Sequence, residues 1–263
     1  MRLWYLLSII LIVLSGCSSK NIDQPDKTLQ YQEKILTVDE DDELFDEFED
    51  ETESEDIYDP LSGYNRFMTG FNDGLYEYFL TPIAKGYNVI VHEEIRKSVA
   101  KFFHNLYYPP RLVNNLLQGK FKNASEETGR FIINSTIGIL GLFDPAKSQF
   151  DLEVHEEDFG QTLGFYGVGA GPHIVLPLWG PSNLRDFVGI FPDAALSPID
   201  YTQRDWITIT DNWEAFLAVK AYEKVNKFSL NIDKYEKLKE DSVDLYPYLR
   251  DIYEQYREKQ IKE

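Results

Sequence analysis

The chain contains very little cysteine, with Cys17 the only one among its 263 residues. A single thiol cannot close a disulfide within the chain, which excludes the class of disulfide-stapled secreted domains. Long apolar runs are also scarce. Beyond the N-terminal leader no 18 consecutive apolar residues occur, whereas a membrane-spanning helix needs about 20. The mature chain is therefore predicted to have no ordinary transmembrane helix.

Sequence signatures of catalysis are absent as well. The glycine-rich residues 167–171 lack the lysine and hydroxyl residue that end a phosphate-binding loop, and Pro172 prevents a helix from opening there. His92 has no second histidine at zinc-protease spacing, and no G-x-S-x-G segment provides a lipase serine. Residues 155–158 could bind a cation, but acids are favoured at a helix N-terminus, which is the interpretation we prefer. The sequence predicts no enzyme, no metal site and no cofactor.

Basic charge is in short supply, and the net charge of −19 is concentrated in one segment. Residues 39–56 hold 13 of the 45 acidic residues and no basic one, which leaves 32 acidic against 26 basic residues elsewhere. A run of like charges repels itself and cannot bury a core, so residues 17–56 are predicted to form a disordered, lipidated tether. The remainder is mildly acidic, which excludes nucleic acid as a partner because its binding requires a basic surface.

The start of the chain has the pattern of a lipoprotein leader. Arg2 precedes an apolar run at residues 6–14 that is too short to span a bilayer, and two small residues then precede Cys17. This order predicts a signal peptide, residues 1–16, whose removal leaves Cys17 to carry a diacylglycerol and a fatty acyl group. Ser18 stands where lipoproteins of the inner membrane often have aspartate, so we expect the outer membrane. An ordinary signal peptide with a chance cysteine is the alternative.

From residue 57 onward the chain is rich in aromatic residues and has helical periodicity. Apolar residues recur at i, i+3, i+4 and i+7 over residues 64–79 and again over 83–102, which predicts two amphipathic helices. Thr81 is predicted to cap the second helix, and Pro109-Pro110 to end it.

Glycine and proline divide the rest of the chain into short segments. Gly119 is predicted to close a short helix and Ser182 to cap another. Residues 174–178 fit either a brief strand or a buried loop, and residues 206–230 and 246–261 are predicted to be helices. The chain is therefore predicted to be mostly α. After the tether of residues 17–56, the mature chain is predicted to have a helical membrane domain, 57–230, and a C-terminal helical extension, 231–263.

A series of short motifs runs in order through residues 58–200. They are Asp59-Pro60-Leu61, Gly63-Tyr64-Asn65-Arg66-Phe67, Val113-Asn114-Asn115-Leu116-Leu117-Gln118-Gly119, Gly141-Leu142-Phe143-Asp144-Pro145-Ala146, Glu157-Asp158-Phe159-Gly160-Gln161-Thr162-Leu163-Gly164 and Leu184-Arg185-Asp186. By these motifs the chain resembles the MlaA (VacJ) lipoproteins of the outer-membrane lipid asymmetry pathway.

The resemblance implies a ring-like bundle of short amphipathic helices that lies in the membrane plane around a central channel. It implies a lipoprotein anchored on the periplasmic side of the outer membrane, which takes misplaced phospholipid from the outer leaflet and passes it to a soluble periplasmic carrier. Trimeric porins are further implied partners. No energy source is encoded, so transport is expected to be passive. The alternatives are a structural or adaptor lipoprotein that scaffolds porins without conducting lipid and, least favoured, a lipid-degrading enzyme.

Two groups of residues are candidates for the channel and its gate. Asn65 and Asn72 are expected either to face the polar channel or to lie on a solvated side of the first helix. Seven glycines are candidate hinge positions beside the channel, with tight helix packing as the alternative: Gly138, Gly141, Gly160, Gly164, Gly167, Gly169 and Gly171.

Overall fold

The structure, a computed structural model, describes residues 59–199, 209–210 and 212–263. The predicted signal peptide, Cys17, Ser18 and the acidic tether lie outside these residues. Within them the chain forms eleven α-helices, one π-helical turn and one two-stranded sheet, which confirms the mostly α prediction. None of the described helices combines the length and the apolar character needed to cross a membrane.

The elements follow one another closely along the chain. In order they are α1 (Ser62–Leu75), the π-helical turn (Tyr76–Leu80), α2 (Thr81–Ile90), α3 (Glu93–Leu106), α4 (Tyr108–Leu117), α5 (Phe121–Thr136), α6 (Pro145–Phe150), α7 (Phe159–Phe165), β1 (His173–Leu176), β2 (Gly180–Asn183), α8 (Leu184–Leu196), α9 (Trp213–Leu230), α10 (Ile232–Asp241) and α11 (Leu245–Lys262).

The amphipathic helix α1 places its polar side inward. Its buried residues are Asn65, Thr69 and Asn72, whereas Phe67 and Phe71 on the predicted apolar stripe are 67% and 49% exposed. The periodicity therefore predicts the helix correctly, but the usual assumption that its apolar face points to the core is wrong here. A helix whose apolar face turns outward is more stable in an apolar surrounding than in water.

Strands β1 and β2 form an antiparallel hairpin in which His173 pairs with Asn183 and Leu176 with Gly180. Two strands alone are marginally stable, and α1 supports them through two side-chain amides. Asn65 Nδ2 donates to His173 O at 3.0 Å, and Asn65 Oδ1 accepts from Val175 N at 2.9 Å. The first strand is thus fixed to α1 by a side chain that satisfies both backbone groups.

Asn72, seven residues further along α1, makes the same pair of hydrogen bonds with the end of β1 and the turn that follows it. Its Nδ2 donates to Leu176 O at 2.9 Å, and its Oδ1 accepts from Leu178 N at 2.8 Å. Seven helical residues rise about 10 Å, which is the length of about three strand residues, so the two asparagines meet the strand in register. Both side chains are buried, at 0% and 4% exposure. The expected solvated position of Asn65 and Asn72 is therefore wrong.

Helix α9 lies against α2 and α3 through polar side chains. Asn226 Nδ2 donates to Arg96 O at 2.9 Å, and Tyr87 donates its hydroxyl to Asn226 Oδ1 at 3.0 Å. Arg96 Nη1 in turn donates to Ser229 O at 2.8 Å. The predicted start of this helix at residue 206 is too early, because residues 209, 210 and 212 are not helical and α9 begins at Trp213.

Several predicted helix ends differ from the structure. Thr81 caps nothing, because Leu80 before it is already helical and the chain continues from the π-helical turn into α2. The Pro109-Pro110 pair opens α4, since a residue without an N–H is tolerated in the first helical turn. Asn183, and not Ser182, caps α8 by accepting from Asp186 N at 2.9 Å.

Residues 231–263 do not form a separate extension. Tyr246 accepts a hydrogen bond from Asn65 Nδ2 at 3.2 Å, which joins α11 to α1. Tyr235 of α10 donates its hydroxyl to Asp73 Oδ1 at 2.9 Å. The predicted division at residue 230 is therefore not seen in the described residues, because the last two helices share polar contacts with the first.

Replacing Asn65 by alanine is expected to destabilise the protein by about 3 kcal/mol, because several buried partners lose their hydrogen bonds at once. Thermal unfolding of the full-length chain in mild detergent, followed by circular dichroism, measures the change. Asn231→Ala is the control, since that amide makes one exposed bond to Lys227 O at 2.9 Å. Equal transition temperatures for the two variants would contradict the structural role of Asn65.

Candidate functional site

The surface of the described residues carries many large apolar side chains. Val89 and Ile90 at the end of α2 are 88% and 82% exposed, and Phe121 and Trp179 are 70% and 72% exposed. Single exposed apolar residues are ordinary on soluble proteins, but extended sets mark surfaces that contact other apolar material. Each such side chain gains roughly 1.5–3 kcal/mol when it is fully removed from water.

The largest side chains that are fully buried are polar. The largest fully buried ones in the described ranges are Glu127, Asn65, Asn114, Asn115, Asn183 and Asn226. Burying such groups without partners costs free energy, so their hydrogen bonds determine whether this interior is stable.

Glu127 holds together three helices and the segment before α7. Its Oε2 accepts from Arg111 Nε at 2.8 Å, and its Oε1 accepts from His155 N at 2.9 Å. Arg111 Nη1 donates onward to His104 O at 2.8 Å. A buried pair of this kind is stable only with such additional bonds, and removing one partner typically costs 3–5 kcal/mol.

A second set of contacts surrounds Asn114 on α4. Its Nδ2 donates to Asp193 Oδ1 at 2.7 Å, and its Oδ1 accepts from Thr162 Oγ1 at 3.0 Å. Asp193 Oδ2 also accepts from Phe159 N at 2.9 Å. Burial raises the pKa of Asp193 to about 6, and the hydrogen bonds from Phe159 and Asn114 oppose that rise. These contacts join α4, α7 and α8.

Arg257 of α11 lies between two carboxylates. Its Nη1 donates to Asp158 Oδ2 at 2.7 Å and its Nε to Asp186 Oδ2 at 2.9 Å. Burial opposes the charge of the guanidinium, but the bonds to Asp158 and Asp186 raise its pKa. Burial likewise opposes the ionisation of Asp186, whose pKa is nevertheless lowered by Arg257 and Arg185. The C-terminal helix is thus tied to α7 and α8 by charge.

Two of the candidate glycines lie where elements approach closely. A Cβ built on Gly160 would meet Asp186 Oδ1 at 2.4 Å, and one on Gly164 would meet Ile261 Cδ1 at 2.5 Å. Gly189 of α8, which the sequence analysis missed, faces the same crossing because its Cβ would meet Gly160 N at 2.6 Å. A backbone atom cannot move aside as the end of a flexible side chain can. Helices α7 and α8 can therefore cross at this distance only with glycine at position 189.

The candidate glycines after α5 also occupy tight positions. A Cβ on Gly138 would meet Phe143 O at 2.4 Å, and one on Gly141 would meet Asn105 Cβ at 2.4 Å. Gly141 has a φ of 91° and donates its N–H to Asn134 O at 2.8 Å. The segment folds back on itself here and exposes the apolar residues between the two glycines.

The candidate glycines before the hairpin differ from these. No atom lies within 4 Å of a Cβ built on Gly167 or Gly169, whereas one on Gly171 would meet Leu184 Cβ at 3.1 Å. Packing therefore accounts for Gly138, Gly141 and Gly160, and a φ of 84° for Gly167 at the end of α7, whereas neither accounts for Gly169.

The cluster 155–158 does not converge on one point. His155 pairs with Glu126, Glu156 with His104, and Glu157 with Lys120 at 2.6 Å. Asp158 caps α7 by accepting from Gln161 N at 2.8 Å. No set of histidine, cysteine or carboxylate side chains that could hold a metal ion occurs in the part of the chain that the structure describes.

Sequence reasoning did not single out Glu127, Arg111 or Arg257, although Arg185 and Asp186 stand in one of the ordered motifs. Asp158 carried the one usable signal, since an acid before an apolar helix is a cap. Nothing local marks Arg257, which is 99 residues away from Asp158 in the chain. Glu127 and Arg111 are likewise ordinary residues of amphipathic helices until the fold encloses them.

Comparison with known proteins agrees with this architecture. The sequence model of the MlaA lipoprotein family matches residues 57–260, and the chain therefore belongs to that family. It is 33% identical to the intermembrane phospholipid transport system lipoprotein MlaA of Haemophilus influenzae over 75% of this chain and 76% of that one. The protein of the same name from Escherichia coli K12 is 32% identical over 77% and 78%.

Further relatives match without a described activity, and one solved structure matches in fold. An uncharacterized protein of Rickettsia bellii is 35% identical over 79% of this chain and 78% of its own. The solved structure belongs to work on the structural basis for maintenance of bacterial outer membrane lipid asymmetry. It aligns with a TM-score of 0.65 and 31% identity over 78% of this chain and 99% of that chain.

The helix crossing gives a direct prediction. Gly189→Ala is expected to destabilise the protein by about 1–3 kcal/mol, because the added methyl group meets the backbone of α7. Gly70→Ala on α1 is the control, since a Cβ there meets nothing within 4 Å, and it is expected to be neutral or to stabilise by up to about 1 kcal/mol. Melting of both variants in mild detergent measures the difference, and a Gly189→Ala protein as stable as Gly70→Ala would refute the close crossing.

Proposed function

We propose that this protein is an outer-membrane lipoprotein that passively removes misplaced phospholipid from the outer leaflet and passes it to a soluble periplasmic carrier. The observation that carries the proposal is the combination of an apolar exterior with a hydrogen-bonded polar interior. It occurs in a member of a family whose named relatives belong to an intermembrane phospholipid transport system.

The physical task fits these features. A phospholipid crosses a bilayer slowly because its charged headgroup must leave water, which costs several kcal/mol even after relaxation. A protein lowers that barrier when it offers polar groups to the head while the acyl chains remain in an apolar surrounding. The described residues combine an exposed apolar surface with a polar interior, which supports the proposal, and the sequence contains no nucleotide-binding motif that would provide energy.

We infer that the helices lie in the membrane plane as a ring around a central channel. Three features support this arrangement: helices too short and polar to span a bilayer, apolar faces turned outward, and polar faces turned inward. Backbone breaks at membrane depth are tolerated only where protein or water satisfies them. A ring with a wet centre meets that condition.

We further propose that Cys17 carries the diacylglycerol and fatty acyl groups and holds the protein on the periplasmic side of the outer membrane. Two or more acyl chains provide stable anchoring, which a single short chain does not. Trimeric porins remain proposed neighbours. Their apolar walls would suit the exposed side chains of α2 and of the hairpin turn.

Among the candidate hinge glycines, Gly167 and Gly169 suit a gate best. Both lack close neighbours that would explain them by packing, and both lie between α7 and the hairpin. Movement there would shift β1, which Asn65 and Asn72 attach to α1. In this proposal the two asparagines hold the gate in place and do not line the channel.

An adaptor lipoprotein that binds porins without conducting lipid is the second candidate. The exposed aromatic side chains favour it as much as they favour a membrane ring. The two differ in one respect, because only a conducting protein needs a polar interior that lipid headgroups can enter.

Cells that lack the protein are expected to accumulate phospholipid in the outer leaflet. An amine-reactive reagent that does not cross the membrane measures this accumulation. It labels phosphatidylethanolamine in the outer leaflet and does not reach phosphatidylethanolamine in the inner leaflet. The wild-type gene should restore low labelling and Cys17→Ala should not, although the variant protein must accumulate to the same level. Labelling that stays unchanged after deletion would sink the transport proposal and leave the adaptor.

The outward apolar surface predicts contact with acyl chains. A photo-crosslinking phenylalanine analogue at Phe79, which is 62% exposed, is expected to form adducts with phospholipid in intact cells. The same analogue at Glu258, whose side chain is 68% exposed in a charged region, should form far fewer. Equal lipid adducts at the two positions would exclude an apolar surface that selectively faces the bilayer.

A further inference from the structure

One face of α9 carries three lysines whose role the proposed function leaves open. Lys220, Lys224 and Lys227 are spaced at i, i+4 and i+7, so they lie on one side of the helix over about 10 Å. The opposite side, with Asn226 and Ser229, is buried against α2 and α3. The lysines therefore point away from the helix packing.

Lys220 already has partners. Its Nζ donates to the hydroxyl of Tyr107 and to Glu223 Oε2 at 3.2 Å. It also lies 4.6 Å from the centroid of the Tyr107 ring. This lysine is neutralised within the protein.

The nearby carboxylate of Glu156 is held by another residue. Its Oε1 lies 3.0 Å from His104 Nε2, and 60% of its side chain stays accessible. His104 and the charges of Arg111 and Lys227 lower the pKa of Glu156. Glu156 therefore has its contact with His104, and no ion pair between Lys227 and a carboxylate occurs among the described residues.

Lys224 has no carboxylate partner at ion-pairing distance among the described residues. Its Nζ lies 5.4 Å from the centroid of the Tyr76 ring. Tyr76 is itself held by donating its hydroxyl to Leu178 O at 2.8 Å. Partial desolvation of its ammonium group and the nearby charge of Lys227 lower the pKa of Lys224, while Glu223 opposes this. An ammonium in such surroundings is stabilised by an added anion.

Apolar surface adjoins the other two lysines. Leu217, which is 46% exposed, lies one heptad before Lys224 on the same face of α9. Arg96 lies on the other side of the helix, where it donates to Ser229 O and Ser229 Oγ, and it does not contribute to this face.

We propose that Lys224 and Lys227 form a binding site for the phosphate group of a phospholipid, with the acyl chains on the adjoining apolar side of α9. This inference rests on the proposed function and assigns the headgroup contact within it. An ammonium binds phosphate as a point charge, and a cation beside an apolar strip matches the two halves of a phospholipid.

The test compares two labelled lipids with the same acyl chains, phosphatidylglycerol and diacylglycerol, which differ in the phosphate-containing headgroup. Full-length protein in mild detergent is expected to retain phosphatidylglycerol about tenfold better, as one or two charged contacts allow. The double variant Lys224→Gln and Lys227→Gln (the glutamine pair) should remove most of that preference. The double variant Lys224→Arg and Lys227→Arg should keep it, because both charges remain. Lys262→Gln is the matched control, because Lys262 is 70% exposed and pairs only with Glu258. If the glutamine pair does not accumulate, Lys224→Met alone serves as the variant.

The outcomes separate this inference from the proposed function. Wild-type protein that retains no phospholipid overturns both. If the glutamine pair retains phosphatidylglycerol as strongly as the wild-type protein does, only the lysine site is overturned. Inorganic phosphate tests the source of the anion: if it displaces phosphatidylglycerol at equal concentration, the site recognises free phosphate and the lipid assignment is overturned. Weak displacement together with loss in the glutamine pair supports the lysine site.

Discussion

Glu127 has no contact with solvent, and its position shows what holds this fold together. Its two oxygens bind Arg111 and the backbone of His155, and Arg257 is fixed in the same way between Asp158 and Asp186. An interior built from such groups is stable only when each has a partner, because an unpaired buried charge costs more than the pair contributes. The helices are therefore positioned by directional polar bonds. Apolar packing, which is non-directional, contributes a smaller core that includes Phe103, Val175 and Ile252, while many large apolar side chains lie on the outer surface.

This division accounts for several features that would otherwise be unrelated. The hairpin needs α1 because two strands are unstable alone, and the amides of Asn65 and Asn72 supply the missing bonds. Helices α7 and α8 cross closely at Gly160 and Gly189, beside the hydrogen bond between Arg257 and Asp186. Within an apolar surrounding such bonds face little competition from solvent. In water, the same hydrogen bonds would have to compete with solvent wherever the interior is accessible.

The sequence predicted the helices well and their inward faces poorly. Periodicity located α1 because the spacing of its apolar residues is helical in either orientation, but periodicity does not say whether the apolar stripe contacts a core or lipid. The caps at Thr81 and Ser182 were wrong because tertiary continuity and a neighbouring asparagine took over their roles. The glycines at 160 and 164 were found from their spacing. Arg257 and Glu127 were not, because their partners are brought together only by the folded chain.

Arginine and lysine occupy different places in the described residues, since only arginine of the two is found buried. This difference bears on transport. Five arginines are buried in the described residues: Arg96, Arg111, Arg130, Arg185 and Arg257. No described lysine is among the buried side chains. The planar guanidinium makes several directed bonds at once and suits permanent contacts, whereas an ammonium on a flexible stem binds as a point charge. A transport site must bind its cargo firmly enough to admit it and weakly enough to release it. Lysines on an accessible face of α9 meet that requirement, and arginines there would hold a phosphate longer.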